Sequence, residues 1–220
     1  MFVVAQAYAF PAPDRRTQEV SKPLILLMGH DVSHTRHCAI LTLCRSTEET
    51  ACKLFKGMKK VFESERIIFI EPTLDLVPEY LVMVNDIENV AKYISDRREP
   101  YTEQEEIEYM KEKIAGPDMM YSMIEKETGK FIGNTSFFNI NGDEAEWGIV
   151  MTASMQNKGF GKEVLRRMIE YGFNEGGFRR IYLGVYVDNP RAIHIYEQCG
   201  FKEYDRTDVD VFMEIIKPLR

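Results

Sequence analysis

The sequence predicts a single α/β domain, of the α+β kind, built on a mixed sheet. Two patterns carry that expectation. The runs "MMYSMIEK", "KFIGNTSFFNI" and "EAEWGIVM" follow one another with turn signals at Glu127–Gly129 and Asn141-Gly142, which reads as an antiparallel meander. The third run then leads through a helical stretch, "GKEVLRRMIEYGFNE", into the strong strand "RRIYLGVYV". A strand–helix–strand crossover of that kind sets its two strands parallel.

The remaining elements fall into place in chain order. "ERIIFIEP" reads as the first strand. "TLDLVPEYLVMVND" and "IENVAKYIS" read as two short helices. "YTEQEEIEYMKEKIAG" is a helix with Thr102 as N-cap, Glu105 completing a capping box and Gly116 as terminator. Gly176-Gly177 closes the helix of the crossover. "NPRAIHIYEQCG" is a short helix with Pro190 in its first turn and Gly200 after its end. "FKEYDR" and "DVFMEII" are the last strands.

Residues 1–57 are different. They carry a net charge of +2, against −9 for the remainder, and hold His30, His34, His37, Cys38, Cys44 and Cys52. "PLILLMG" offers one short strand and "STEETACKLFKGM" a helix with a Ser46/Glu49 capping box, but nothing there forms a core. We expect 1–57 to be a poorly ordered extension and 58–220 to be the domain. Met58 opens a natural-looking start, so the extension need not belong to the natural product if translation begins there. The spacing of His30, His34, His37 and Cys38 is not that of a zinc module, and no metal is expected.

Composition excludes some functions. The chain of 220 residues has a formal net charge of −7 and 45% hydrophobic residues. With a pI near 5.3 it lacks the basic face of a general nucleic-acid binder. No apolar run approaches the roughly 18 residues that span a bilayer. "MFVVAQAYAF" ends near a small-x-small pattern but has no positive n-region, so it is not read as a signal peptide. The four cysteines form no CxxC pair, and a reduced, cytoplasmic setting is expected.

The stretch "QNKGFGKEVL" raises the question of function. A helix N-terminus presents unpaired N–H groups and partial positive charge. Glycines let a phosphate approach that backbone, and Lys158 and Lys162 add charge. A pyrophosphate cradle is one reading; a tight strand-to-helix turn with incidental lysines is the other. Neither G-x-x-x-x-G-K-[ST] nor G-x-G-x-x-G fits, because Glu163 and Val164 stand at the deciding positions.

Gln156-x-x-Gly159-x-Gly161 resembles the Q/R-x-x-G-x-G/A signature of the GNAT superfamily of acyl-CoA-dependent N-acyltransferases. "VDNPRAIHIYEQCGF", about 30 residues on, resembles that family's second cofactor segment. The element order from Arg66 to Ile216 is similar too, and the Thr73–Ile94 region looks like the start of the RimJ/RimL-like and polyamine-acetyltransferase branches. The resemblance implies a mixed, mostly antiparallel twisted sheet of six to seven strands with about four helices. It also implies that the parallel strands Glu144–Met151 and Arg180–Val187 splay apart around the pantetheine arm of acetyl-CoA. By the same resemblance the backbone of Ile149, Val150 and Met151 pairs with the pantetheine amides. Gln156, Asn157, Lys158, Gly159, Phe160, Gly161 and Lys162 hold the pyrophosphate, and Asn189 reaches the cofactor from the next helix.

Acetyl transfer to an amine needs a base near the amine and an acid near the departing thiolate. Tyr196 matches the family's acid; a core tyrosine on an amphipathic helix is the alternative. Glu144 and Glu146 share a strand face opposite Ala145, Trp147 and Ile149. Glu146 is the candidate base, matching a glutamate often found there in relatives; a solvated carboxylate is the alternative. Gly184 stands where some relatives carry a base and has no side chain. His194, two residues before Tyr196, faces away, and Cys199 is read as buried and inert.

Two functions remain. The first is an N-acetyltransferase moving acetyl from acetyl-CoA to a primary amine: a polyamine, amino sugar, aminoglycoside or protein N-terminus. The second is a non-catalytic acyl-CoA-binding sensor or interaction module. The acidic balance suits a cationic small molecule or N-terminal amine as partner, with no nucleic acid and no membrane; a homodimer is an allowed assembly.

Overall fold

The computed structural model describes residues 58–94, 97 and 99–218. The expected extension 1–57, with its histidine and cysteine cluster, lies outside the described residues. Eight strands form one sheet in the order β1-β2-β3-β4-β5-β6-β8-β7. They are β1 (Lys60–Glu63), β2 (Ile67–Ile70), β3 (Met119–Glu125), β4 (Phe131–Asn141), β5 (Glu144–Met151), β6 (Arg180–Tyr186), β7 (Lys202–Arg206) and β8 (Asp210–Ile216). Every neighbouring pair is antiparallel except β5 and β6. The described α-helices are α1 (Val77–Val84), α2 (Glu103–Ala115), α3 (Phe160–Asn174) and α4 (Pro190–Gln198). No described helix is long and apolar enough to cross a membrane.

Alternation along the strands sorts the core into two layers. Tyr121, Met123, Trp147, Ile149, Leu183 and Val185 point to one face, where α3 contributes Val164, Leu165 and Met168 and α4 contributes Ala192 and Tyr196. Met120, Ile124 and Val150 point to the other, under Tyr80, Met83 and Val84 of α1 and Tyr109 and Met110 of α2. On that second face β6 and β8 are lined largely by half-buried side chains, while β7 is exposed throughout, with Tyr204 43% exposed.

Local chemistry explains most boundaries. Thr102 and Glu105 make the reciprocal capping box that opens α2. The Asn189 side chain caps α4, with Pro190 in the first turn. Two expectations change. β1 was hidden, because "KVFE" is short and only Phe62 is buried. "IENVAKYIS" supplies only a 3₁₀ turn at Ala91–Tyr93 within its described part. Asp86 accounts for the difference. Its carbonyl accepts from both Val90 and Ala91, and its carboxylate holds Asn89, so local polar bonds outcompete the helix.

One buried group is out of keeping with its layer. Glu106 on α2 is fully buried beside Met110 and Tyr109, and neither carboxylate oxygen has a hydrogen-bond partner. Burial pushes this carboxyl up to about 7. A raised folded-state value means that folding favours the neutral acid. Stability is therefore full below pH 4.5 and is lost as the pH rises through 7. Glu106→Gln removes the titration. Relative to the parent, the variant gains about 3 kcal/mol between pH 4.5 and 8, read from urea unfolding. Parallel curves for the two proteins mean that the carboxyl is solvated or paired when it ionises.

Candidate active site

The loop after β5 has the geometry of an anion cradle. A 3₁₀ turn at Ala153–Met155 leads to Gln156–Gly159, and α3 begins at Phe160. Gly159 is the N-cap at φ 84° and offers no side-chain cap. The first intrahelical bond runs from the Glu163 N–H to the Gly159 carbonyl at 3.3 Å, leaving the first-turn N–H groups without helical partners. Asn157 is also left-handed, at φ 64°. Phe160 and Gly161 are buried and seat the loop on the core. Arg191 of α4 donates to the Asn157 side chain, and Lys162 Nζ to Gln198 Oε1 at 2.9 Å, so the loop is braced against α4. Lys158 is exposed. The Gln156 side chain turns back, donating to the Met151 carbonyl at 3.1 Å and the Asn89 carbonyl at 3.4 Å, and its backbone N–H donates to the Ala153 carbonyl at 3.2 Å, so Gln156 braces the loop from within.

β5 and β6 pair only at Glu144–Arg180, Ala145–Ile181 and Glu146–Tyr182, and then separate. The Thr152 N–H donates to Ile132 across β4. Alternation of backbone direction turns Val150 toward β4 as well, and leaves Ile149 and Met151 on the edge facing the gap. Val150 is thus engaged within the sheet, unlike its two neighbours. Asn189 stands near the loop's brace, at the start of α4. Its Oδ1 accepts from Ala192 at 3.2 Å, whereas its Nδ2 is buried without a hydrogen-bond partner. A buried donor left unmatched costs about 1–3 kcal/mol. Orphan loop N–H groups, an open strand edge and this spare amide donor fit a long ligand bearing amides at one end and phosphates at the other.

Tyr196 and Glu146 flank the gap from opposite faces. Tyr196 is fully buried, edge-on to Trp147 with ring centroids 6.1 Å apart, next to the point where β5 leaves β6. Burial pushes its phenol above the usual tyrosine range. Glu146 lies on the second face and is 7% exposed. Burial raises its carboxyl, opposed by a 2.8 Å hydrogen bond from Asn139 Nδ2. Asn139 sits at a register shift in β4 at φ 48°. That bulge brings the amide onto Glu146 and gave no signal in the sequence. Next to Glu146 on the open face, Arg180 bridges Glu144 at 2.8 Å and Glu214 at 2.6 Å and lies over the rings of Tyr182 and Tyr204. A Cβ added at Gly184 would meet the Phe212 ring at ordinary contact distance. His194 is exposed and pairs with Gln198, and Cys199 is half-buried rather than buried. Among the described residues no group of three His, Cys, Asp or Glu side chains is placed to hold a metal ion.

This chain is similar to known proteins in sequence and fold. The family model of the acetyltransferase (GNAT) domain matches residues 66–202. A spermidine N(1)-acetyltransferase of Vibrio cholerae is 32% identical over 123 residues, spanning 54% of this chain and 70% of that protein. YnaD of Bacillus subtilis, an uncharacterized N-acetyltransferase, is 25% identical over 115 residues, 52% of this chain and 66% of that one. The fold is that of the spermidine N-acetyltransferase from Vibrio cholerae solved with CoA and spermine. The TM-score is 0.59 at 24% identity, covering 69% of this chain and 95% of that one.

Proposed function

We propose, for a chain that belongs to the GNAT acetyltransferase family and is an acetyl-CoA-dependent N-acetyltransferase, that the acceptor is a primary amine of the polyamine class, acetylated by direct attack on the thioester. The observation that carries the mechanism is the gap between β5 and β6, with Glu146 on one face and Tyr196 on the other. The acceptor class is supported by the spermidine-acetylating relative and by the acidic, aromatic surface beside Glu146.

Bound acetyl-CoA supplies an activated acyl group. Glu146 takes a proton from the incoming ammonium or from the amine as it attacks; its upward shift brings it nearer the range of a working base at neutral pH. Tyr196 keeps its proton until the thiolate departs and then delivers it. The N–H groups of Ile149 and Met151 and the loop N–H groups hold the cofactor's arm and pyrophosphate. A non-catalytic sensor does not need this pair of titratable groups.

Acceptor choice is tested by free-thiol release from acetyl-CoA with spermidine, glucosamine, kanamycin and a peptide bearing a free N-terminus. Spermidine is expected to give the highest kcat/KM. Turnover of the peptide alone overturns the polyamine reading. With the best acceptor, Tyr196→Phe is expected to keep cofactor affinity and lose on the order of 10²-fold in kcat. A kcat within twofold of the parent makes Tyr196 a packing residue. Glu146→Gln is expected to lose most activity near neutral pH and to recover in part as the pH rises and the amine deprotonates by itself. An equal loss at every pH removes Glu146 from the base role.

A further inference from the structure

Glu163 is out of place in a phosphate cradle. It lies in the first turn of α3, where a carboxylate suits the helix dipole but repels a bound pyrophosphate. The structure resolves the conflict through the turn between β1 and β2. Ser64 Oγ donates to Glu163 Oε1 at 2.7 Å, and the Arg66 backbone N–H donates to the same oxygen at 2.7 Å. Arg66 Nε donates to Oε2 at 2.8 Å. Three donors from the β1–β2 turn thus hold the carboxylate.

The same guanidinium reaches further. Its Nη1 donates to the Lys158 carbonyl at 3.1 Å, and its plane covers the Phe160 ring at 4.4 Å. Lys158 is the residue between the two left-handed positions, Asn157 and Gly159. A non-glycine residue holds a left-handed conformation only when its surroundings enforce it. The carbonyl between them is where such enforcement acts. The β1–β2 turn is itself rigid: Ser64 closes it on Ile67 at 2.9 Å, and Lys126 donates to the Arg66 and Ser64 carbonyls at 2.8 and 2.7 Å.

We propose that Arg66 is the positioning residue of the pyrophosphate loop. By gripping the Lys158 carbonyl and the Glu163 carboxylate together, it fixes the Asn157–Gly159 turn and keeps the Glu163 charge paired beside the cofactor. It acts through the loop and touches no reacting atom. This rests on the reading of residues 156–162 as the cofactor's cradle.

The test compares two ligands on one preparation of the full chain: CoA, and pantetheine, which lacks the pyrophosphate. Affinities are read by calorimetry, so loss of folded protein appears in the stoichiometry and cancels from the ratio. The parent is expected to favour CoA strongly. If it binds both equally, the cradle reading fails. Given that preference, Arg66→Gln is expected to lower the CoA-to-pantetheine affinity ratio by tenfold or more, with pantetheine affinity unchanged. Arg66→Lys keeps the charge but not the fork, and is expected to lose most of the same preference. An unchanged ratio in Arg66→Gln, or equal losses for both ligands, overturns the proposal while leaving the cradle intact. Full retention by Arg66→Lys also overturns it, because Arg66 then acts only as a distant charge.

Discussion

The site depends on β5 leaving β6 after three paired residues. An opening inside a sheet leaves N–H and C=O groups unmatched, and each needs an alternative partner. The structure meets that cost locally. Gln156 takes the Met151 carbonyl, and Trp147 and Tyr196 fill the first face beside the split. Past the split β5 is held by β4 alone, and β4 must follow it closely. At Gly133, φ is 152° and an added Cβ would stand 2.0 Å from the Val150 carbonyl oxygen. Only glycine allows β4 and β5 to stay paired there, beside the β3–β4 register shift that sets Ile132 in the first layer and Phe131 in the second.

The same opening separates the two titratable groups by face, and burial then acts on both in the same direction with different chemical results. Raising a tyrosine keeps it protonated at neutral pH, though as a weaker acid. Raising a glutamate toward neutrality makes it a better proton acceptor, provided that it still ionises. Asn139 limits the rise at Glu146 by hydrogen bonding to its charged form. Glu106 shows what happens without such a donor: burial acts unopposed and the carboxyl reaches about 7. Both the Asn139 amide and the shallower setting of Glu146, 7% exposed against 0% for Glu106, separate these two glutamates.

Much of this was legible in the sequence because it is written in local signals. The capping box at Thr102 and Glu105, the Asn189-Pro190 start of α4 and the glycine pair opening α3 each act within a few residues. The meander and crossover followed from alternation and turn residues. What could not be read acts across long separations. β1 is recognisable only by its pairing with β2. Arg66 and Glu163 stand 97 residues apart in the chain, and nothing near either names the other. Asn139 depends on a bulge, whereas alternation by itself places Glu146 correctly on its face. Glu106 lies in "EQEEIEYMKEK", which is acidic on all sides, and no local signal marks it as buried. Only packing against α1 reveals which of those glutamates is buried.

A protein of net charge −7 that takes a polyanionic cosubstrate faces an electrostatic problem which its layout answers. Lys158, Lys162, Arg191 and Arg66 gather around the loop and the start of α4. Glu144, Glu146 and Glu214 gather at the opposite end of the β5–β6 pairing, on the second face, where Arg180 bridges Glu144 and Glu214. Exposed charges are screened over about 8–10 Å at physiological salt, so two surfaces of opposite sign can operate independently on one domain if they are kept apart. Glu163 is an acid in the first turn of α3, inside the basic zone, and it is held by three hydrogen bonds, two of them from Arg66. The bonds from Arg66 and Ser64 outweigh its burial and hold it below the usual carboxylate range, so it stays charged and fixed rather than titrating beside the cofactor. The charge is retained as a structural anchor because the residue that neutralises it is also the one that grips the loop.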